Sequence, residues 1–147
     1  MLKHIITVAG EASGINFRVY CESRIKHLSA KLLSKKQVTN TFSIYDFKTK
    51  TISKFNTTEN SKLNTRKPSV SVQKKDISIL DIYRQIQEIG TTNPGSLFEL
   101  SFFSHAYYAG PILAMPLINL MARFGFGDVI LFAMVGKSEE KKLCIIY

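Results

Sequence analysis

The 147-residue chain has the size of one domain, and its 45% hydrophobic content, with Phe 10, Tyr 6 and Trp 0, supplies a packed core and excludes wholesale disorder. The net charge of +9 is segregated: residues 1–75 hold 15 Lys/Arg against 4 Asp/Glu, and residues 76–147 hold 5 against 7. Two cysteines, Cys21 and Cys144, are too few for a disulfide framework and match no zinc-ligand spacing, and no secretory signal is present, so a reducing cytoplasm is the expected compartment.

In chain order, residues 4–9 are β-branched and apolar and predict a buried first strand. Gly10-Glu11-Ala12-Ser13-Gly14 follows as a turn, where two glycines supply backbone angles that other residues avoid. A helix is expected from about Asn16 to Ser34, because Phe17, Cys21, Ile25, Leu28 and Leu32 recur at three- and four-residue intervals. Glu22 and Lys26 form a favourable pair off that stripe. Alternating residues predict a strand at about 40–47 and a second at 50–55, with a bend near Lys48 and Thr49. Residues 56–75 are rich in Asn, Thr, Ser and Lys and are expected to form a flexible basic surface loop.

A second helix starts at Ser78, with Asp81 three residues on as a variant of the capping box. Ile79, Ile82, Tyr83, Ile86 and Ile89 provide its buried face, and Gly90 is placed to end it. After the turn 91–95, residues 96–104 read as an inner strand, apolar on both sides. The stretch 100–122 carries no formal charge with His105 neutral, but Ser101, Ser104, His105, Gly110, Pro111, Pro116 and Asn119 interrupt it. It therefore reads as strand, loop and helix rather than one membrane span. A helix is expected over 112–121, a buried strand over 129–135 and a short last strand over 143–147. From about Ala114 the chain lacks the polar punctuation of the rest, as expected of a truncated or altered carboxyl-terminal segment.

Strands alternating with helices predict a single α/β domain: a three-layer Rossmann-like or caspase-like sandwich with a mainly parallel sheet of about 4–5 strands. In such a sheet, ligands meet the carboxyl ends of the strands. Two such ends stand out, at 10–14 and at 104–110. Gly10, Glu11, Ser13 and Gly14 precede a helix, whose first amides favour an anion. The segment 9–14 resembles the first loop of lipid-A-disaccharide synthases, a glycosyltransferase family, although no sugar-nucleotide motif follows. The spacing fits neither a dinucleotide fingerprint nor a P-loop, and no cofactor is expected.

At the second end, Ser104, Tyr107 and Tyr108 are candidate ligand contacts, and Asp46 is expected to line the same edge. His105, closing an apolar strand among small and aromatic residues, is placed as a general base. The sequence Phe102-Phe103-Ser104-His105-Ala106 resembles the histidine segment of caspase-like cysteine peptidases, whose strand ends in Ser-His-Gly and whose nucleophilic cysteine follows the next parallel strand. That resemblance implies His105 as base and Cys144 as thiolate nucleophile. Ala106 stands where the family has Gly, and Cys144 follows the charged run 137–142 rather than the apolar strand.

Three functions follow as expectations: a caspase-like hydrolase or its inactive remnant, a non-enzymatic module whose basic half docks an acidic protein or anionic surface, and a membrane-associated protein held through residues 107–135. No residue set at metal-ligand spacing and no recognisable nucleic-acid-reading module is present.

Overall fold

The computed structural model describes residues 2–33, 39–58, 63, 65–107, 110–111, 113, 129–137 and 140–146. The expected helix at 112–121, apart from Leu113, and the whole segment from Ala114 to Asp128 lie outside the described residues.

Strand β1 (Leu2–Ala9) sits inside the sheet because both of its faces are apolar. Side chains alternate across a strand. Ile5 and Ala9 accordingly join one buried cluster, and Ile6 and Val8 join another. Helix α1 (Phe17–Leu33) covers the first face with the whole stripe expected of it: Phe17, Cys21, Ile25, Leu28 and Leu32 are all buried. They pack against Phe42, Ile44, Phe55 and Phe103. Burying each such large side chain contributes about 1.5–3 kcal/mol. Asn16 opens the helix, its Oδ1 accepting the Arg18 amide at 3.2 Å.

Helix α2 (Ile79–Thr92) packs on the other face through Ile82 and Ile89. Asp81 accepts the Ser78 amide at 2.9 Å, which supplies the reciprocal arm expected of a capping box. Two expectations for this helix are corrected. It runs through Gly90 and ends at Asn93, whose amide donates to the Ile89 carbonyl at 2.9 Å. The Thr91 and Thr92 hydroxyls donate to the Glu88 carbonyl at 2.9 and 2.7 Å, so the last turn is held by side chains rather than closed by glycine. Tyr83 is 57% exposed, because Asp81 and Gln85 take the flank of the buried face that Tyr83 was expected to share.

The strands run in the order β4-β3-β2-β1-β5-β7-β8, with the two-residue β6 (Gly110–Pro111) paired to β5. Strand β1 pairs parallel with β2 (Thr39–Asp46) and with β5 (Leu97–Tyr107). Strand β3 (Thr51–Thr58) is antiparallel to β2 through a turn at 47–50 in which Lys50 adopts φ 56°. Strand β4 (Val70–Gln73) is antiparallel to β3. Strands β7 (Val129–Lys137) and β8 (Glu140–Ile146) continue antiparallel from β5. The fold is thus α/β with an open, mixed sheet. Parallel pairing is confined to its three central strands, and both flanks turn back as hairpins.

Two further boundaries differ from expectation. The region 56–75 is not one loop: β3 continues through Thr58, and Val70 to Gln73 form β4. Residues 59–62 and 64, from the same expected loop, lie outside the described residues. Strand β5 runs to Tyr107 rather than stopping at Ser104, because β7 pairs alongside it as far as His105.

Candidate functional site

Strands β1 and β2 end together, beside β5, which runs on to Tyr107. Ala9 stands in register with Asp46 of β2 on one side and with Phe103 of β5 on the other. The Gly10 amide donates to the Phe103 carbonyl at 2.9 Å, and the Phe47 amide donates to the Ala9 carbonyl at 2.9 Å. The turn at 10–14, Asp46 and the end of β5 therefore form one rim, as the element order predicts.

The polar groups of that rim are mostly engaged with one another. Asp46 is 2% exposed, and its Oδ1 accepts the amides of Lys48 and Thr49 at 3.1 and 3.2 Å, holding the β2–β3 turn. Its Oδ2 lies 3.5 Å from Nη1 of Arg18. Arg18 also donates from Nε to Glu22 at 3.0 Å and from Nη2 to Ser53 at 3.3 Å. This arginine fastens the first turn of α1 to β2 and β3, a role with no local sequence signal.

Some of the amides of the expected anion cradle are engaged within the fold. Two of its amides are spent inside the fold, Gly10 on Phe103 and Glu11 on the Leu113 carbonyl at 2.8 Å. The Arg18 amide is taken by Asn16. Gly14 adopts φ +75°, and a side chain there would meet nothing within 4 Å. Its positive φ serves the left-handed turn into α1. Ser13 is exposed in the same turn.

Ser104 and His105 do not converge. They are neighbours within β5, so their side chains leave opposite faces of the sheet. His105 lies on the α1 side, with its ring edge-on to Phe17 at 5.3 Å between centroids and an interplanar angle of 84°. Tyr20 stacks over Phe103 beside it at 6.2 Å. Ser104 lies on the α2 side, 0% exposed, with no partner for its hydroxyl among the described residues. Tyr107 ends β5 opposite Gly110 of β6, and Tyr108 is outside the described residues.

The backbone register also separates His105 from Cys144. His105 pairs with Val129, whereas Cys144 pairs with Ala133, which pairs with Ser101. Two strand spacings and four residue rises intervene, on the order of 16 Å between α-carbons. A base and its nucleophile must come within hydrogen-bonding reach, about 3–4 Å. The expected dyad is not formed, because antiparallel β7 stands between β5 and β8 and the register leaves Cys144 level with Ser101 rather than with His105. The other cysteine, Cys21, is buried on the α1 stripe, and burial pushes its thiol up to about 12.

A second buried polar group was missed by sequence reasoning. Glu99 of β5 is 1% exposed and accepts two hydrogen bonds from Arg24 of α1. On the α2 side, Tyr45 donates to Gln85, which donates to Ser43 at 2.9 Å. Burial, with Asp81 and Glu88 nearby, raises the Tyr45 phenol to about 12, so it stays a hydrogen-bond donor at neutral pH.

Among the described residues no group of three or more His, Cys, Asp or Glu is placed to hold a metal ion, and no helix is long and apolar enough to cross a membrane. Residues 100–107, the start of the uncharged segment, lie within strand β5. No family model, curated protein or solved structure matches the chain.

Proposed function

We propose that the protein is a non-enzymatic interaction module whose basic amino-terminal half docks an acidic partner. The observation that carries this reading is the charge around β3 and β4. Residues 47–75 hold Lys48, Lys50, Lys54, Lys62, Arg66, Lys67, Lys74 and Lys75 against a single carboxylate, Glu59. Lys48, Lys50, Lys67 and Lys75 are exposed. A field of one sign steers and holds a partner of the other. The engaged rim and the separation of His105 from Cys144 support a binding role over a chemical one. A reducing, cytoplasmic setting is part of this reading, in keeping with an unpaired, buried Cys21.

Retention of the full chain on immobilised poly-glutamate tests it. The expected result is binding at low salt, released as ionic strength rises, because exposed charges are screened. Passage through the column at low salt overturns the reading.

A second reading is favoured by one feature, the parallel order β2-β1-β5 with His105 near the carboxyl end of β5. It makes the protein the remnant of a caspase-like hydrolase on a three-layer, Rossmann-like sandwich. Because the register keeps His105 and Cys144 apart, the reading is of an inactive remnant, whose Cys144 thiol labels with the same pH dependence in the parent and in His105→Ala. A Cys144 that reacts well below pH 8 and loses that reactivity in His105→Ala overturns it.

A further inference from the structure

Among the described residues, β4 pairs with β3 on one side and with no strand on the other. All four of its residues are exposed, and Val70 and Val72 are 51% and 50% exposed. We propose that β4 takes up an extended acidic peptide as an added strand. This rests on the interaction-module reading and specifies its partner and its mode.

The backbone of β4 is oriented for this. The Lys74 amide donates to the Lys50 carbonyl at 2.8 Å. In an antiparallel ladder, residues that exchange hydrogen bonds with the partner alternate with residues that do not. Val72 opposite Ile52 and Val70 opposite Lys54 therefore turn their amides and carbonyls toward β3. Ser71 and Gln73 turn theirs outward. These are the donors and acceptors that strand addition uses. Val70 and Val72, two residues apart, share one face of the sheet, where alternate side chains of an added strand would cover them.

Charge selects the occupant. Lys50, Lys54 and Lys75 flank the edge, with Lys67 just before it, and Lys74 is already bound to Asp81. Lysines along an open edge discourage pairing with a second copy of the same basic strand. The same charges attract a peptide carrying glutamate or aspartate.

The test uses the full chain and a fluorescent peptide whose centre alternates valine with serine and whose ends are glutamates. A second peptide of identical sequence is N-methylated at alternate central amides, which keeps its charge and removes its ability to pair. A Ser71→Pro variant removes an outward donor while leaving the hydrogen bonds to β3 in place, since proline is tolerated where an edge amide faces solvent. The expected result is binding of the first peptide, weakened about tenfold or more by either N-methylation or Ser71→Pro. The N-methylated peptide leaves the protein untouched, so it decides the matter even if the variant folds poorly. Equal binding of both peptides, lost only on reversing Lys67 and Lys75 to glutamate, overturns strand addition and leaves the charge-based module standing. Failure of the chain to bind both the peptides and poly-glutamate overturns the module as well. Self-association of the free chain that Ser71→Pro abolishes identifies a second copy as the occupant and overturns the acidic-peptide proposal.

Discussion

Arg24 grips both carboxylate oxygens of Glu99, its Nε 2.8 Å from Oε1 and its Nη2 2.7 Å from Oε2, and so ties the middle of α1 to β5. Ser101 donates to the same carboxylate. The hydrogen bond to Glu99 raises the Arg24 pKa above its ordinary value. Removing the arginine would leave a buried carboxylate with only a hydroxyl. Arg24→Met should therefore destabilise the fold by about 2–3 kcal/mol in urea denaturation. That lies below the roughly 3–5 kcal/mol of a wholly buried pair because the Arg24 side chain is 33% exposed. Arg24→Met combined with Glu99→Gln should recover most of the loss. A single variant as stable as the parent would show that the pair contributes nothing.

Asn40 of β2 is 0% exposed, and among the described residues neither its Oδ1 nor its Nδ2 has a partner. A buried amide without hydrogen bonds costs about 1–3 kcal/mol. Asn40→Leu, close in volume, should stabilise the protein by a similar amount and raise its thermal midpoint. A lower midpoint would mean that the amide is satisfied in solution.

Two groups make stability depend on pH, in different windows. Burial works to raise the Asp81 carboxyl, but the Lys74 ammonium, the Ser78 amide and Arg84 outweigh it and hold it below its ordinary value. Its contribution is present above the unfolded value of about 3.9 and is lost as pH falls through the lower folded value. The stability gap between the parent and Lys74→Met should thus be open at neutral pH and close in acid. His4 is lowered first by burial and then by Lys54, with Glu88 acting against them. The unfolded chain takes up that proton first, so stability declines as pH drops below about 6.5 toward the folded value. In denaturation measured across this range, His4→Phe should flatten the slope. An unchanged slope would assign it to another group.

Cys21 should be chemically silent. Its thiol is 0% exposed and held up near 12, chiefly by burial. In a Cys144→Ser protein, where it is the remaining thiol, a disulfide reagent at pH 8 should label it only after denaturant is added. Prompt labelling of the native protein would show that α1 lifts readily from the sheet.

The helices and the central strands were legible because each announces itself over a short span. The stripe from Phe17 to Leu32 has a helical period, and the run from Ile5 to Ala9 satisfies two apolar faces at once. Strand β4 was not legible, because Val70 and Val72 stand alone among Ser and Lys, and they become a strand only where β3 offers a ladder. The direction of β7 was hidden for a related reason. An apolar run fits a parallel or an antiparallel neighbour equally well, and the choice is made by pairing with β5. The rim was foreseen from element order, since Ala9 and Asp46 end adjacent strands and Phe103 of β5 stands in register with Ala9. The dyad failed because the separation of His105 from Cys144 depends on the registers of two long-range ladders, which no local pattern encodes.

Strand β1 acquires its two neighbours at different stages of synthesis. Strand β2 leaves the ribosome soon after α1, but β5 follows only when α2 has been made. In the interval a nascent chain can assemble β1, α1, β2 and β3 while one backbone edge of β1 stays open beside an uncovered apolar surface. Pairings between segments so far apart in the chain form slowly. An open edge of this kind is a template for aggregation. The arrival of β5 is therefore the step that closes the nascent fold, and a chain stalled before it should be the species that chaperones retain.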